Sequence, residues 1–265
     1  MNTIKLSFLS IFLLTAPISK KTADFCGVKN TSFSAGEVVT MTVFYNALGT
    51  FVGAGDATFT TTLERFNGKP AYHIVGVGKT YPFFDNFFKV RDRYETYIDT
   101  STLLPNKFIR NVDEGGHKIY NNVTFNQTAN TAVSTNGVFK ITDCMQDVVS
   151  AIYYARNINF DKYKPGDKIE FDMFLDDEVH HLYLRYIGKE KIKTRYGKFR
   201  AIKIKPLLVK GTIFDGGENM NAWISDDPNH LLLRAESPIA VGSIKVDMMG
   251  YQNLRYPLTS LLDFR

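Results

Sequence analysis

No run after the first residues approaches the ~20 consecutive apolar residues that a helical membrane span needs, so a bundle of membrane-spanning helices is not expected. Several chemical signatures are missing as well. There is no G-x-S-x-G elbow, no H-E-x-x-H pair, no G-x-x-x-x-G-K-[ST] phosphate loop and no G-x-G-x-x-G opening a helix. These absences disfavour elbow-type hydrolases, zinc peptidases and nucleotide-binding enzymes. Gly53-Ala54-Gly55 and Gly76-Val77-Gly78 lie in strand patterns, where phosphate is not cradled. No low-complexity linker, composition shift or repeat of roughly 20–50 residues divides the chain. Tryptophan occurs once and cysteine twice.

What the chain does hold begins with an export pattern. Lys5 supplies a positive start, Leu6 to Leu14 is apolar, and small or polar residues follow. This reads as a secretory signal over residues 1–19, with cleavage between 16 and 23. An uncleaved apolar anchor is the alternative. A lipoprotein is disfavoured, because Ala23-Asp24-Phe25 precedes Cys26. After residues 20–35, one β-rich domain is expected over 36–265, a length that a single β domain commonly fills.

Outside the cytoplasm, two thiols usually oxidise, so Cys26 and Cys144 are expected to form a disulfide. The competing reading is a reactive Cys144 activated at a helix start, but no C-x-x-C accompanies it. The net charge of +5 is spread rather than concentrated. Its densest stretch, Lys189 to Lys205, is broken by apolar residues at strand spacing and reads as the solvated face of a hairpin. No nucleic-acid partner is expected.

Phenylalanine (21) and tyrosine (14) dominate the aromatic fraction and suit strands around a large apolar interior. Strand patterns recur from Val38 to Tyr251, separated by turn signals such as Asn67-Gly68, Glu114-Gly115-Gly116 and Asp226-Asp227-Pro228. Glycines 53, 55, 76 and 78 mark bulges, bends or close backbone approach. One amphipathic helix is expected near 143–157. Its stripe is Met145, Val148, Val149, Ile152 and Tyr153, with Asp143 and Gln146 as a capping pair. The fold class is therefore mainly β: a curved antiparallel sheet, an incomplete barrel or a sandwich, around one central helix.

Candidate chemistry is sparse. Asp176, Asp177, Glu178, His180 and His181 resemble metal ligands or acid–base groups. Adjacent strand residues point to opposite faces, however, and a β-turn explains the acids. His73, His117 and His230 are scattered, and a triad would need assembly in space. The best candidate for ligand contact is Tyr81-Pro82-Phe83-Phe84-Asp85-Asn86-Phe87-Phe88, whose aromatic density marks either an interaction site or a plug for one end of the β core. Trp223 is either a further ligand contact or a core strand residue.

The order of motifs resembles a known family. Gly36-Glu37, Gly53 and Gly55, Val90-Arg91-Asp92-Arg93-Tyr94-Glu95-Thr96-Tyr97-Ile98-Asp99, Leu103-Leu104-Pro105 and Glu114-Gly115-Gly116 are similar to the domain-of-unknown-function 3108 family. Asp143 to Tyr154, Trp223-Ile224-Ser225-Asp226-Asp227 and Gly242-Ser243-Ile244 resemble its versions in Bacteroides-type bacteria. The likeness covers roughly Gly36 to Tyr251. It implies an exported, β-rich protein of the periplasm or outer membrane, with no settled activity and no cofactor. A more distant similarity is to periplasmic lipoprotein carriers, in which a curved sheet wraps a helix and holds acyl chains. Three functions follow as expectations: binding of lipid or another apolar or amphipathic envelope ligand, with peripheral membrane contact; docking on an envelope protein; and, least favoured, hydrolysis.

Overall fold

The computed structural model describes residues 26–46, 49–211, 216–239 and 242–264. The signal and cleavage expectations at 1–23 lie outside them. Among the described residues, fifteen strands form one antiparallel sheet. In chain order they are β1 (Val38–Asn46), β2 (Phe51–Phe66), β3 (Lys69–Thr80), β4 (Val90–Asp99), β5 (Pro105–Glu114), β6 (His117–Asn126), β7 (Thr131–Ser134) and β8 (Gly137–Lys140). After the helix come β9 (Lys168–Leu175), β10 (Glu178–Lys193), β11 (Gly197–Pro206), β12 (Asn221–Ser225), β13 (Leu232–Pro238), β14 (Ser243–Gln252) and β15 (Leu261–Phe264). A short helix α1 (Pro82–Asp85) joins β3 to β4, and α2 (Val148–Ala155) joins β8 to β9.

The spatial order is β8-β7-β6-β5-β4-β3-β2-β1-β14-β13-β12-β11-β10-β9, with β15 added beside β11. The chain thus starts in the middle of the sheet, meanders to one edge, crosses through α2, and meanders back from the other edge. Beside β1, strand β14 completes the circuit. The sheet curls until its edges meet through side chains without closing as a backbone barrel. Arg110 donates to Asp176, Asn136 donates to Asp177 at 2.6 Å, and Thr142 donates to Asp172 at 2.5 Å. The Gln146 backbone pairs with Asp172 and Phe174 and so covers part of the β9 edge. Curvature has a local cause near Gly53 and Gly55, where the β1–β2 register shifts between Val43 and Phe44. A Cβ on Gly55 would stand 2.4 Å from the Lys79 carbonyl oxygen.

The central helix is present and shorter than the stripe implied. Its N-cap is Asp147, not Asp143. The Asp147 carboxylate accepts from the Val149 and Ser150 amides at 2.8 Å, and Ser150 reciprocates. Cys144 adopts a left-handed φ of 58° and Gln146 is engaged in a β-bridge, so neither can begin a helix. Ile152, expected in the apolar stripe, is exposed, whereas Ala151 and Tyr154 are buried. The helix is enclosed on more sides than one stripe would allow.

Two hydrophobic clusters result. The larger surrounds α2 and includes Phe33, Phe108, Met145, Tyr154, Phe160 and Phe174, each essentially fully buried. The interior around the helix is therefore filled by side chains. The second cluster includes Val39, Met41, Phe199, Trp223, Leu233 and Met248. On β11, Ala201 belongs to the second cluster and Ile202 to the first. Successive side chains take opposite faces, so both faces of this strand are covered. A disulfide joins Cys26 to Cys144, with Cα atoms 5.5 Å apart, and ties the N-terminal segment to the approach to α2.

Candidate functional site

The aromatic segment forms a tip between β3 and β4. Strand β3 ends where the Tyr81 amide donates to the Ala54 carbonyl at 2.8 Å. Pro82 then starts α1, since its fixed φ suits a first helical position and its missing N–H costs nothing there. The Tyr81 hydroxyl donates to Asp56 at 2.6 Å, and that carboxylate pushes the phenol pKa up. Arg91 donates to both Asp85 oxygens at 3.0 and 2.6 Å, and Thr80 adds a bond at 2.5 Å. The Arg91 guanidinium, followed by Thr80, holds the Asp85 carboxyl below its ordinary range. Both ends of the tip are thereby fastened to the sheet.

The rings divide into anchors and exposed surface. Phe84 packs edge-on against Tyr45 and Phe83. Phe88 lies over Gly115, where a Cβ would come within 2.5 Å of its ring, and Gly115 has a φ of +62° as well. Both features disfavour a side chain larger than hydrogen at that position. Phe83 and Phe87, with centroids 5.4 Å apart, are 66% and 74% exposed, and Phe88 is 43% exposed. These rings face outward and do not plug the β core.

Below the tip, Asp92 on β4 and Glu114 on β5 are diagonal neighbours, Glu114 standing opposite Val90. Burial, reinforced by Glu114, raises the Asp92 pKa to about 7. Burial likewise raises neighbouring Tyr94 to about 12. Trp223, by contrast, lies buried in the second cluster. Its indole donates to Glu190 at 2.5 Å and carries Lys203 over its ring. It belongs to a different part of the sheet from Tyr81–Phe88.

The acidic cluster expected at 176–181 resolves into turn geometry. Asp176 and Asp177 both have positive φ, as a tight hairpin between β9 and β10 requires. His180 faces the Leu175 carbonyl, while His181 pairs with Asp172. No group of three or more metal-ligating side chains occurs among the described residues. His73 is bracketed by Glu64 and Glu95, each at 2.9 Å, and stacked on Tyr97.

A cavity of about 380 Å³ at the end of α2 went unnoticed in the sequence, because its walls are far apart in the chain. Asn159, Asp161, Lys189, Asp226, His230 and Tyr256 contribute to it. Lys189 is held between Asp161 at 2.8 Å and Asp226 at 3.0 Å. His230 Nδ1 donates to the Arg156 carbonyl at 2.7 Å, and burial lowers its pKa. Ser32 also donates to the Arg156 carbonyl, so that Ser32 and His230 together brace the end of α2.

Comparison with known proteins follows the architecture. No curated protein matches the chain. Among solved structures, a β-barrel-like protein of the unknown-function family DUF1849 from Brucella abortus aligns with a TM-score of 0.54 and 8% identity, covering 86% of this chain and all of its own. That likeness establishes a shared fold. A protein assigned as exported, with a YmcC-like fold, from Bacteroides fragilis aligns with a TM-score of 0.33 and 10% identity, over 85% of this chain and 99% of its own. A protein assigned as a lipoprotein, from Parabacteroides distasonis, gives 0.35 and 13%, over 84% and 100%. The sequence profile described as "Protein of unknown function (DUF3108)" matches residues 40–249, nearly the whole described sheet, and the chain belongs to that family.

Proposed function

We propose that the protein is an exported component of the bacterial envelope, periplasmic or outer-membrane-associated, that binds an apolar or amphipathic envelope molecule such as a lipid. The Tyr81–Phe88 tip is the binding element. The observation that carries this reading is the outward exposure of Phe83 and Phe87 on a segment fastened by Tyr81–Asp56 and Asp85–Arg91. Exposed apolar patches of this kind mark interaction surfaces. The filled core around α2 argues for capture on the outside rather than in a hollow. Export is supported by the Lys5 and Leu6–Leu14 pattern and by the Cys26–Cys144 bridge, which belongs to oxidising compartments. The test is lipid capture from an envelope extract by the wild type and by Phe83→Ser/Phe87→Ser. The variant is expected to lose capture while staying folded, and retained capture would overturn the assignment.

A second reading, docking on an envelope protein, is favoured by Val133 and Val138, which oppose each other on β7 and β8 and are both exposed. Exposed apolar side chains gathered on one face mark interaction surfaces. Cross-linking from Val138→Cys should then trap a stable partner, and recovery of none would count against it.

A further inference from the structure

Four cations share one face of the β10–β11 hairpin. In antiparallel pairing, residues directly opposite each other point to the same face, as do residues two apart on one strand. The register places Lys191 opposite Arg200 and Lys193 opposite Lys198. Like charges in directly opposed positions destabilise a sheet, so this two-by-two grid works against folding. One row earlier, Lys189 opposes Ile202. There Lys189 is satisfied by Asp161 and Asp226, and Ile202 is buried in the core. Beyond that row the hairpin runs clear of the core around α2, and Lys191, Lys193 and Lys198 are exposed. Its other face is apolar, with Phe199 and Ile192 in the second cluster.

Asp263 on β15 stands opposite Lys198, and the Arg200 guanidinium donates to the Thr259 carbonyl at 2.9 Å, which leaves Lys191, Lys193 and Lys198 as the exposed cations. A cavity of about 480 Å³ is lined by Lys191, Lys193, Lys198, Asp263 and Phe264. Phe264, 64% exposed, turns to the other face and packs on Tyr196. An excess of exposed cations on one face is the chemistry of an anionic lipid surface. This end is distinct from the aromatic tip. One register row links Thr80 on β3, by way of β2, β1, β14, β13 and β12, to Ile204 on β11. The aromatic tip lies beyond that row on one side and the Lys193–Lys198 pair on the other.

We propose that the end of the β10–β11 hairpin docks on an anionic bilayer surface, with Lys191, Lys193 and Lys198 meeting lipid phosphates. The test is co-sedimentation of the purified protein with vesicles of phosphatidylcholine, with or without phosphatidylglycerol, beside calorimetric titration with inorganic pyrophosphate. Binding is expected on the phosphatidylglycerol vesicles alone and should weaken with salt. Lys193→Glu/Lys198→Glu should lower partitioning on the order of tenfold or more, as expected for reversing two surface lysines. The single change Lys193→Glu replaces a repulsive pair with an attractive one, so its unfolding midpoint should hold or rise while docking falls. Equal partitioning on both vesicles, undiminished docking of the double variant, or pyrophosphate binding without vesicle binding would each overturn the proposal.

Discussion

Arg156 donates to both carboxylate oxygens of Glu37, at 2.6 and 2.9 Å, and both side chains are buried. The guanidinium also donates to the Asn229 carbonyl at 3.0 Å and lies against the Phe33 and Tyr153 rings. One ion pair therefore joins the entry to β1, the end of α2 and the loop before β13. Removing one partner would leave a buried charge without compensation. Arg156→Ala is expected to cost about 3–5 kcal/mol, and Glu37→Leu/Arg156→Met less than either single change. Denaturant unfolding of the variants checks the order, and a double variant weaker than both singles would contradict it.

The Cys26–Cys144 bridge spans 118 positions. In the chain-entropy picture, closing so long a loop stabilises by ~4–5 kcal/mol, less any native-state cost. Reduction, or Cys26→Ser/Cys144→Ser, should lower the denaturation midpoint and increase hydrogen exchange first in the segment leading to β1. Identical midpoints with and without reductant would refute this.

Two carboxyls titrate upward on folding, Asp147 to about 6 and Asp92 to about 7, each chiefly through burial. Above the ordinary carboxyl range these two groups keep protons that the unfolded chain has lost, so their own contribution to stability falls as pH rises. Groups that folding shifts downward, such as Asp85 and His230, contribute with the opposite sign. The Asp147 and Asp92 contributions are fully present below the ordinary carboxyl range and are lost as pH passes about 6 and then about 7. Between pH 4 and 8 the denaturation midpoint of Asp147→Asn, and at higher pH that of Asp92→Asn, should gain on the wild type as pH rises. A gap between wild type and both variants that stays constant across the window would contradict the assignment.

Gly115 is expected to control the tip. Gly115→Ala would drive a Cβ into the Phe88 ring at a left-handed φ. The change should lower stability by roughly 1–2 kcal/mol and disturb the Phe88 resonances more than those of Trp223. Unaltered Phe88 signals would show that the ring does not rest there.

Much of the sheet was legible because its signals are local. Alternation marked most strands, Asp176-Asp177 marked a turn, and two distant cysteines in a chain that opens on an export pattern marked a bridge. The helix was legible in kind but not in its cap. Asp143 and Asp147 both precede apolar residues, and the choice is made by the left-handed Cys144 and by the β-bridge of Gln146. Neither feature leaves a local signal. The Arg156–Glu37 pair and the β1–β14 pairing join residues far apart in the chain, so only the assembled fold reveals them. At the candidate site, the sequence supplied the aromatic density of Tyr81–Phe88, while the outward turn of Phe83 and Phe87 depends on how the ends of α1 are fastened. The opposed lysines depend on register in the same way. A shift of one residue would dissolve the grid.

The central claim is that lipid meets the outside of a filled fold, at the tip. Brominated lipid quenches indole fluorescence on contact, and Trp223, buried in the second cluster, is a built-in control. The most direct measurement compares quenching in wild type and in Phe87→Trp on addition of brominated envelope-type lipid. Quenching in Phe87→Trp together with an unchanged Trp223 signal in wild type is the predicted result. Quenching of Trp223 in wild type, or lipid binding without quenching in Phe87→Trp, would contradict the account.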